Sequence, residues 1–181
     1  IMTGEDISGR FGNACVFPKD KPKKYGVPKL AHYLRWQPFT FSFWFRCAKV
    51  PEKGVILPRS RGGLAAANRG YEVTFESGKP TATLGHFYPG NAIRVQVPET
   101  LDFKEWRQIG FTYDGSSRAS GMKLYVDGKE QPVQVIRDHL YKDIDYLPEW
   151  GDLDTGKVAD ATARETITLQ IGGGNLDSGL R

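Results

Sequence analysis

Histidine and cysteine are scarce in this chain, three and two among 181 residues, and neither type falls in a pattern that chemistry could use. There is no Cys-x-x-Cys-His, so no haem is attached within this chain. His32, His86 and His139 stand in unrelated contexts and no Gly-x-Ser-x-Gly elbow is present, which leaves nucleophilic hydrolysis without its machinery. The same histidines and cysteines offer no zinc cluster. No apolar run is long enough to span a bilayer, and no charged segment followed by an apolar core marks a signal peptide. With Ile1 in place of an initiator Met, the chain reads as an excised or processed piece. Strong helix signals, internal repeats and low-complexity tracts are absent as well.

What the chain has instead is turn chemistry. Its 21 Gly and 11 Pro point to many short connections, and the composition favours an all-β chain. The stretch 106–128, WRQIGFTYDGSSRASGMKLYVDG, spells out two neighbouring strands with both turns. Ile109, Phe111 and Tyr113 alternate with Gln108, Gly110 and Thr112, the period-two pattern of a half-buried strand. Met122, Leu124 and Val126 resume it, and Asp127-Gly128 tolerates the positive φ of a two-residue hairpin turn that opens a further strand through Val133 and Val135. In FTFSFWFRC, phenylalanines 39, 41, 43 and 45 share one face and Thr40, Ser42, Trp44 and Arg46 the other, which predicts a central strand with a large apolar payload. Strands are expected near 14–17, 39–47, 54–58, 70–76, 80–86, 92–97, 107–113, 121–126, 130–135 and 166–172. Trp106 is expected to plug a sheet end. Between 138 and 165 the pattern dissolves into a segment too long for a routine connection, and therefore a candidate functional loop.

A length of 181 residues fits one domain, 1–181, able to bury a full core. The net charge of +4 is scattered apart from Lys19, Lys21, Lys23 and Lys24. That cluster sits in a Pro-containing loop with no basic helix or aromatic-interleaved strand beside it, so it solubilises a loop and no nucleic-acid partner is expected. Cys15 and Cys47 fall at inward alternation positions. Buried packing is the favoured reading, with one disulfide the alternative if the chain is exported.

Beyond these patterns, the segments GRFGNACVF (9–17), FTFSFWFR (39–46), RGYEVTFESGKP (69–80), HFYPGNAIRV (86–95), the W-x6-YDGSSRASGMKLYVDGK core (106–129), VIRDHLYKDI (135–144) and LQIGGG (169–174) carry a resemblance. The chain resembles the laminin-G-like, concanavalin A-like jelly-roll domains, in the version found in large planctomycete-type proteins that also carry cytochrome c domains. The resemblance implies a two-sheet antiparallel jelly-roll sandwich that lacks its final strand here, an exported protein (periplasmic or extracellular), and companion domains that would hold any haem. The acidic residues of the long loop also raise calcium, which many such domains bind at a loop rim, with Asp143, Asp145, Asp152 and Asp154 as candidate oxygen donors, but their spacing lacks the alternation and turn of an EF-hand loop and a solvated acidic loop is the favoured reading. No other cofactor is expected in this chain.

Catalysis is not expected. Jelly-roll glycosidases need two carboxylates aimed together from one strand, and the nearest string, EWGDLD with Glu149, Asp152 and Asp154, has the wrong spacing and lies in a loop. The expected function is a non-catalytic carbohydrate-binding module whose partner is a glycan or polysaccharide, because sugars are held by aromatic faces and planar polar groups at a shallow rim. Tyr146 and Trp150 in the long loop and His86, Tyr88, Asn91 and Arg94 around HFYPGN are the candidate ligand residues. The alternative is a structural domain that holds other domains of the parent protein in register, its exposed aromatics acting as interface anchors.

Overall fold

A computed structural model describes residues 7–16, 25–27, 30–49, 52–61, 69–145 and 169–171. Strands dominate it, and the sandwich is built from two antiparallel sheets. In chain order the strands are β1 (Ile7–Ser8), β2 (Asn13–Ala14), β3 (Tyr25–Val27), β4 (Phe39–Phe45), β5 (Lys53–Arg61), β6 (Arg69–Glu76), β7 (Lys79–Phe87), β8 (Asn91–Gln96), β9 (Arg107–Tyr113), β10 (Met122–Val126), β11 (Lys129–Glu130), β12 (Gln134–His139) and β13 (Leu169–Ile171). One sheet runs β11-β10-β9-β4 and the other β12-β8-β7-β6-β5, with the short pairs β1-β2 and β13-β3 beside them. This is the expected all-β jelly-roll sandwich of the concanavalin A-like type.

Alternation decides which side chains meet between the sheets. In the four-stranded sheet Phe39, Phe41 and Phe43 lie across from Tyr113, Phe111 and Ile109, and Phe111 across from Leu124, so one apolar row follows another on the inner face. Tyr71, Val73, Leu84, Ile93 and Val95 answer them from the five-stranded sheet. Each such fully enclosed side chain contributes roughly 1.5–3 kcal/mol of transfer free energy. A second cluster of Phe75, Phe103, Ile109 and Val126 closes the far end. Turns fall where φ > 0 is tolerated: Ser77-Gly78 and Asp127-Gly128 both take positive φ, as two-residue hairpins require.

Three expectations need correcting. The strand at 39–45 has β9 as its hydrogen-bonded neighbour on one side and, among the described residues, none on the other; apolar alternation reports a buried face and is blind to sheet position. The strand expected at 130–135 divides into β11 and β12, which belong to different sheets, because Pro132 has no N–H to continue the ladder. The expected loop at 138–165 begins later than its composition suggests. Asp138 and His139 pair with Ile93 and Ala92, and Leu140, Ile144 and Asp145 are buried; the remaining positions, 146–165, lie outside the described residues. The strands expected near 70–76 and 80–86 form one hairpin that is enclosed on both faces, with Glu72, Thr74, Thr81 and Thr83 buried alongside the apolar row.

Cys15 and Cys47 are both half-buried and are not bridged to one another; the Cys47 thiol donates to the Lys49 carbonyl at 3.1 Å. Trp106 is also half-buried, with the Arg46 guanidinium 5.1 Å from its ring centre.

Candidate binding site

Strand register brings four connections to one end of the sandwich. The approach to β4 (30–37), the β7–β8 turn (88–90), the β9–β10 connection (114–121) and the segment that follows β12 (140–145) all gather there, because Phe39 pairs with Tyr113, Tyr113 with Met122 and Ala92 with His139.

The 30–37 approach is pinned from below. The Tyr113 hydroxyl donates to the Arg35 carbonyl and accepts from the Ser117 amide at 2.8 Å, so one buried side chain ties two loops. Burial raises its pKa above the usual phenol value, with the Ser117 bonds opposing. Arg35 donates its amide to Asp143 Oδ1 at 3.1 Å and its Nη1 to Ser117 Oγ at 2.8 Å. Tyr71 donates to the Ala31 carbonyl at 2.9 Å, and the Arg59 guanidinium meets His32 Nδ1. Gly115 closes the arrangement. It takes φ +85°, and a Cβ there would stand 2.4 Å from the Trp36 carbonyl oxygen, so only glycine lets the two loops approach this closely.

The 114–121 connection is shaped by its own short side chains. Asp114 Oδ1 accepts the Ser116 amide at 2.8 Å, which is an Asx turn, and the Ser116 hydrogen bonds hold the Asp114 carboxyl below the usual carboxylate range. Asp138 Oδ1 accepts the Ala119 amide at 2.8 Å, locking this connection to β12. Between them lies an open pocket of about 400 Å³. Arg35 forms one wall, Ser116, Ser117 and Arg118 another, and Asp138 to Tyr141 the third. Tyr141 is 58% exposed and Trp36 54%; the Tyr141 ring meets His139 edge-on at 5.1 Å, and the Arg35 guanidinium lies 5.7 Å from the Trp36 ring centre.

The candidate residues named from sequence separate here. His86 is half-buried, and its Nδ1 lies 2.7 Å from the Asp143 carbonyl while Arg69 Nη2 lies 3.0 Å from its Nε2. A carbonyl only accepts and a guanidinium only donates, so the ring is neutral with its proton on Nδ1. Asn91 is buried, and its Oδ1 accepts the amides of Tyr141 at 3.0 Å and Lys142 at 3.3 Å, which orients the third wall of the pocket. Arg94 is buried against Glu76, with its guanidinium 5.3 Å from the Tyr88 ring centre. Tyr146, Trp150, Asp152 and Asp154 lie outside the described residues.

The described half of the calcium set does not converge on a cation. Asp145 Oδ1 is 3.1 Å from Arg59 Nη1, and Asp143 Oδ1 serves the Arg35 and Asp145 amides. Asp143 Oδ2 alone of that carboxylate's oxygens lacks a partner, and the other two members of the set, Asp152 and Asp154, lie outside the described residues. Among the described residues no group of three His, Cys, Asp or Glu could hold a metal ion. Ser117, Asp138 and His139 share the pocket, yet no hydrogen bond joins Ser117 to His139, and the Ser117 hydroxyl accepts from Arg35 instead.

Burial lowers the His86 pKa from its ordinary 6.5, opposed by the bond to the Asp143 carbonyl and assisted by the Arg69 guanidinium. The unfolded chain therefore takes up this proton more readily than the folded one, so the contribution to stability is complete above the unfolded pKa and is lost as pH falls through the folded one. Thermal midpoints of the wild-type chain should drop between about pH 7.5 and about pH 5 more steeply than those of His86→Gln. Parallel curves would show that this imidazole does not contribute.

Residues 26–152 match the family model for the concanavalin A-like lectin/glucanases superfamily. The chain belongs to that superfamily. No curated protein matches the chain. Laminin-G-like members of the superfamily are in general binding or interaction modules, and the loop end of this one gathers exposed rings and polar groups. Sequence reasoning missed Arg35, Trp36, Ser117, Arg118 and His139. The signal available was Asp114-Gly115 and Ser116-Ser117, which marks the connection but not what it faces.

Proposed function

We propose that this chain is a non-catalytic, carbohydrate-binding (lectin-like) module of a larger exported protein, periplasmic or extracellular, with an oligosaccharide seated in the loop-end pocket. The observation that carries the reading is the pocket itself: an open cavity of about 400 Å³ in which an exposed tyrosine ring stands beside guanidinium, hydroxyl and imidazole groups. A pyranose ring offers an apolar C–H face to such a ring and hydroxyls to such donors.

Tyr141→Ala is expected to weaken binding to a glycan retained on an array by about tenfold, the equivalent of about 1.4 kcal/mol. Titration of the wild-type chain and the variant with the same glycan measures it. Retention that Tyr141→Ala leaves unchanged would remove the pocket from the reading, and no retention across the array would remove the glycan.

A second reading has its own support. Phe11 is 73% exposed and meets Trp44 edge-on at 5.5 Å on the outer side of β4, with the Arg10 guanidinium 5.5 Å from both rings. Aromatic and arginine side chains grouped in this way are typical interface anchors. They suit a domain that packs against companion domains of a planctomycete-type, cytochrome c-containing parent.

A further inference from the structure

We infer that the loop-end pocket selects an acidic sugar, one whose carboxylate or sulfate group is held between Arg35 and Arg118; this deepens the glycan reading and rests on it. Charge is the first ground. The pocket is lined by two guanidinium groups and one carboxylate, Asp138, and that carboxylate already accepts the Ala119 amide. Among the described residues neither guanidinium is ion-paired, so the lining carries one positive charge in excess. Arg35 donates to a neutral hydroxyl, Ser117 Oγ, and leans on the Trp36 ring. Among the described residues the Arg118 side chain makes no hydrogen bond or ion pair.

Geometry is the second ground. Arg35 is half-buried and held at three points, by its amide to Asp143, its carbonyl to Tyr113 and its Nη1 to Ser117. Its remaining donors are therefore presented with little freedom left to lose, which is the condition under which a guanidinium recognises a planar anion with two parallel hydrogen bonds. Arg118 is exposed at the rim and free to close on the same anion. Tyr141 and His139, which line the same pocket, supply the ring face that a lone phosphate or sulfate would leave unused, so the arrangement fits an anion carried on a sugar better than a free inorganic ion. A neutral sugar would leave both charges to water.

The experiment uses matched pairs of probes that differ only in charge: oligogalacturonate against its fully methyl-esterified form for a carboxylate, and dextran sulfate against dextran for a sulfate. The charged member of one pair is expected to bind about ten- to a hundredfold more tightly than its neutral partner, the range of one charge-assisted contact. Arg118→Gln should abolish that difference, while Lys129→Gln, which removes the same charge at the opposite end of the four-stranded sheet, should leave it intact. Which pair responds identifies the acid. Equal binding of charged and neutral members overturns the acidic preference and leaves the lectin reading standing, whereas no binding of any probe, and none on the array, removes both. Equal losses in Arg118→Gln and Lys129→Gln would show attraction to net charge alone and overturn the site.

Discussion

Arg59→Met is expected to destabilise the fold by about 3–5 kcal/mol, the usual cost of stripping one partner from a buried ion pair. Arg59 is 2% exposed, and Asp145, 3.1 Å away, has no side-chain exposure. Methionine fills much of the same volume, so the loss reports the charge and its hydrogen bonds more than a cavity. What remains is an enclosed carboxylate that has lost its guanidinium at 3.1 Å and keeps the His32 ring 3.9 Å from its Oδ2. Urea denaturation measures the change. Arg59→Met combined with Asp145→Leu should recover most of it, because removing both charges abolishes the uncompensated desolvation. A single variant within about 1 kcal/mol of wild type would show that the pair is not what secures this end of the sandwich. The effect reaches the pocket, since Asp145 closes the 140–145 segment whose Asp143 receives the Arg35 amide.

The strands at 39–45, 69–76, 79–87, 91–96, 107–113 and 122–126 were legible because each alternates apolar and polar residues over several positions between recognisable turns, the period that the pleat of a strand imposes on its side chains. β3 was not. Tyr25–Val27 is three residues long, sits between Pro22 and Pro28, and becomes a strand through its pairing with Leu169–Ile171, a partner far along the chain that no local pattern announces. The site was illegible for a related reason. His86, Asn91 and Arg94 are the right residue types in a promising segment, yet residue type does not tell whether a carboxamide faces solvent or, as Asn91 does, two backbone amides. Arg35, Arg118 and Tyr141 lie far apart in sequence and share a pocket because Tyr113, Asp138 and Asn91 each bond across loops. Those cross-loop bonds are decided by the register of the strands beneath, which sequence alternation leaves undetermined between one pairing and the next.

Phe39→Ala should cost about 3–5 kcal/mol, the range for deleting a buried phenylalanine ring whose site cannot collapse. Collapse is hindered here because the ring is held from several directions. Phe111 and Tyr113 approach it from the neighbouring strand, Tyr71 from the facing sheet at 5.1 Å, and Tyr33 stacks on it at 4.4 Å with the planes 11° apart. The last contact gives the prediction its second half, since Tyr33 belongs to the approach that presents Arg35. Without its stacking partner that segment keeps its hydrogen bonds but loses its floor. Amide hydrogen exchange over 30–37 should therefore accelerate in Phe39→Ala under conditions where the rest of the sandwich stays protected. Phe75→Ala is the matched control. It removes an equally enclosed ring from the cluster with Phe45 and Phe103 at the opposite end, so it should lower the urea midpoint by a similar amount and leave exchange at 30–37 unchanged. If both variants loosen 30–37 to the same degree, the segment is responding to global stability alone, and the tie between the core ring and the pocket wall does not exist.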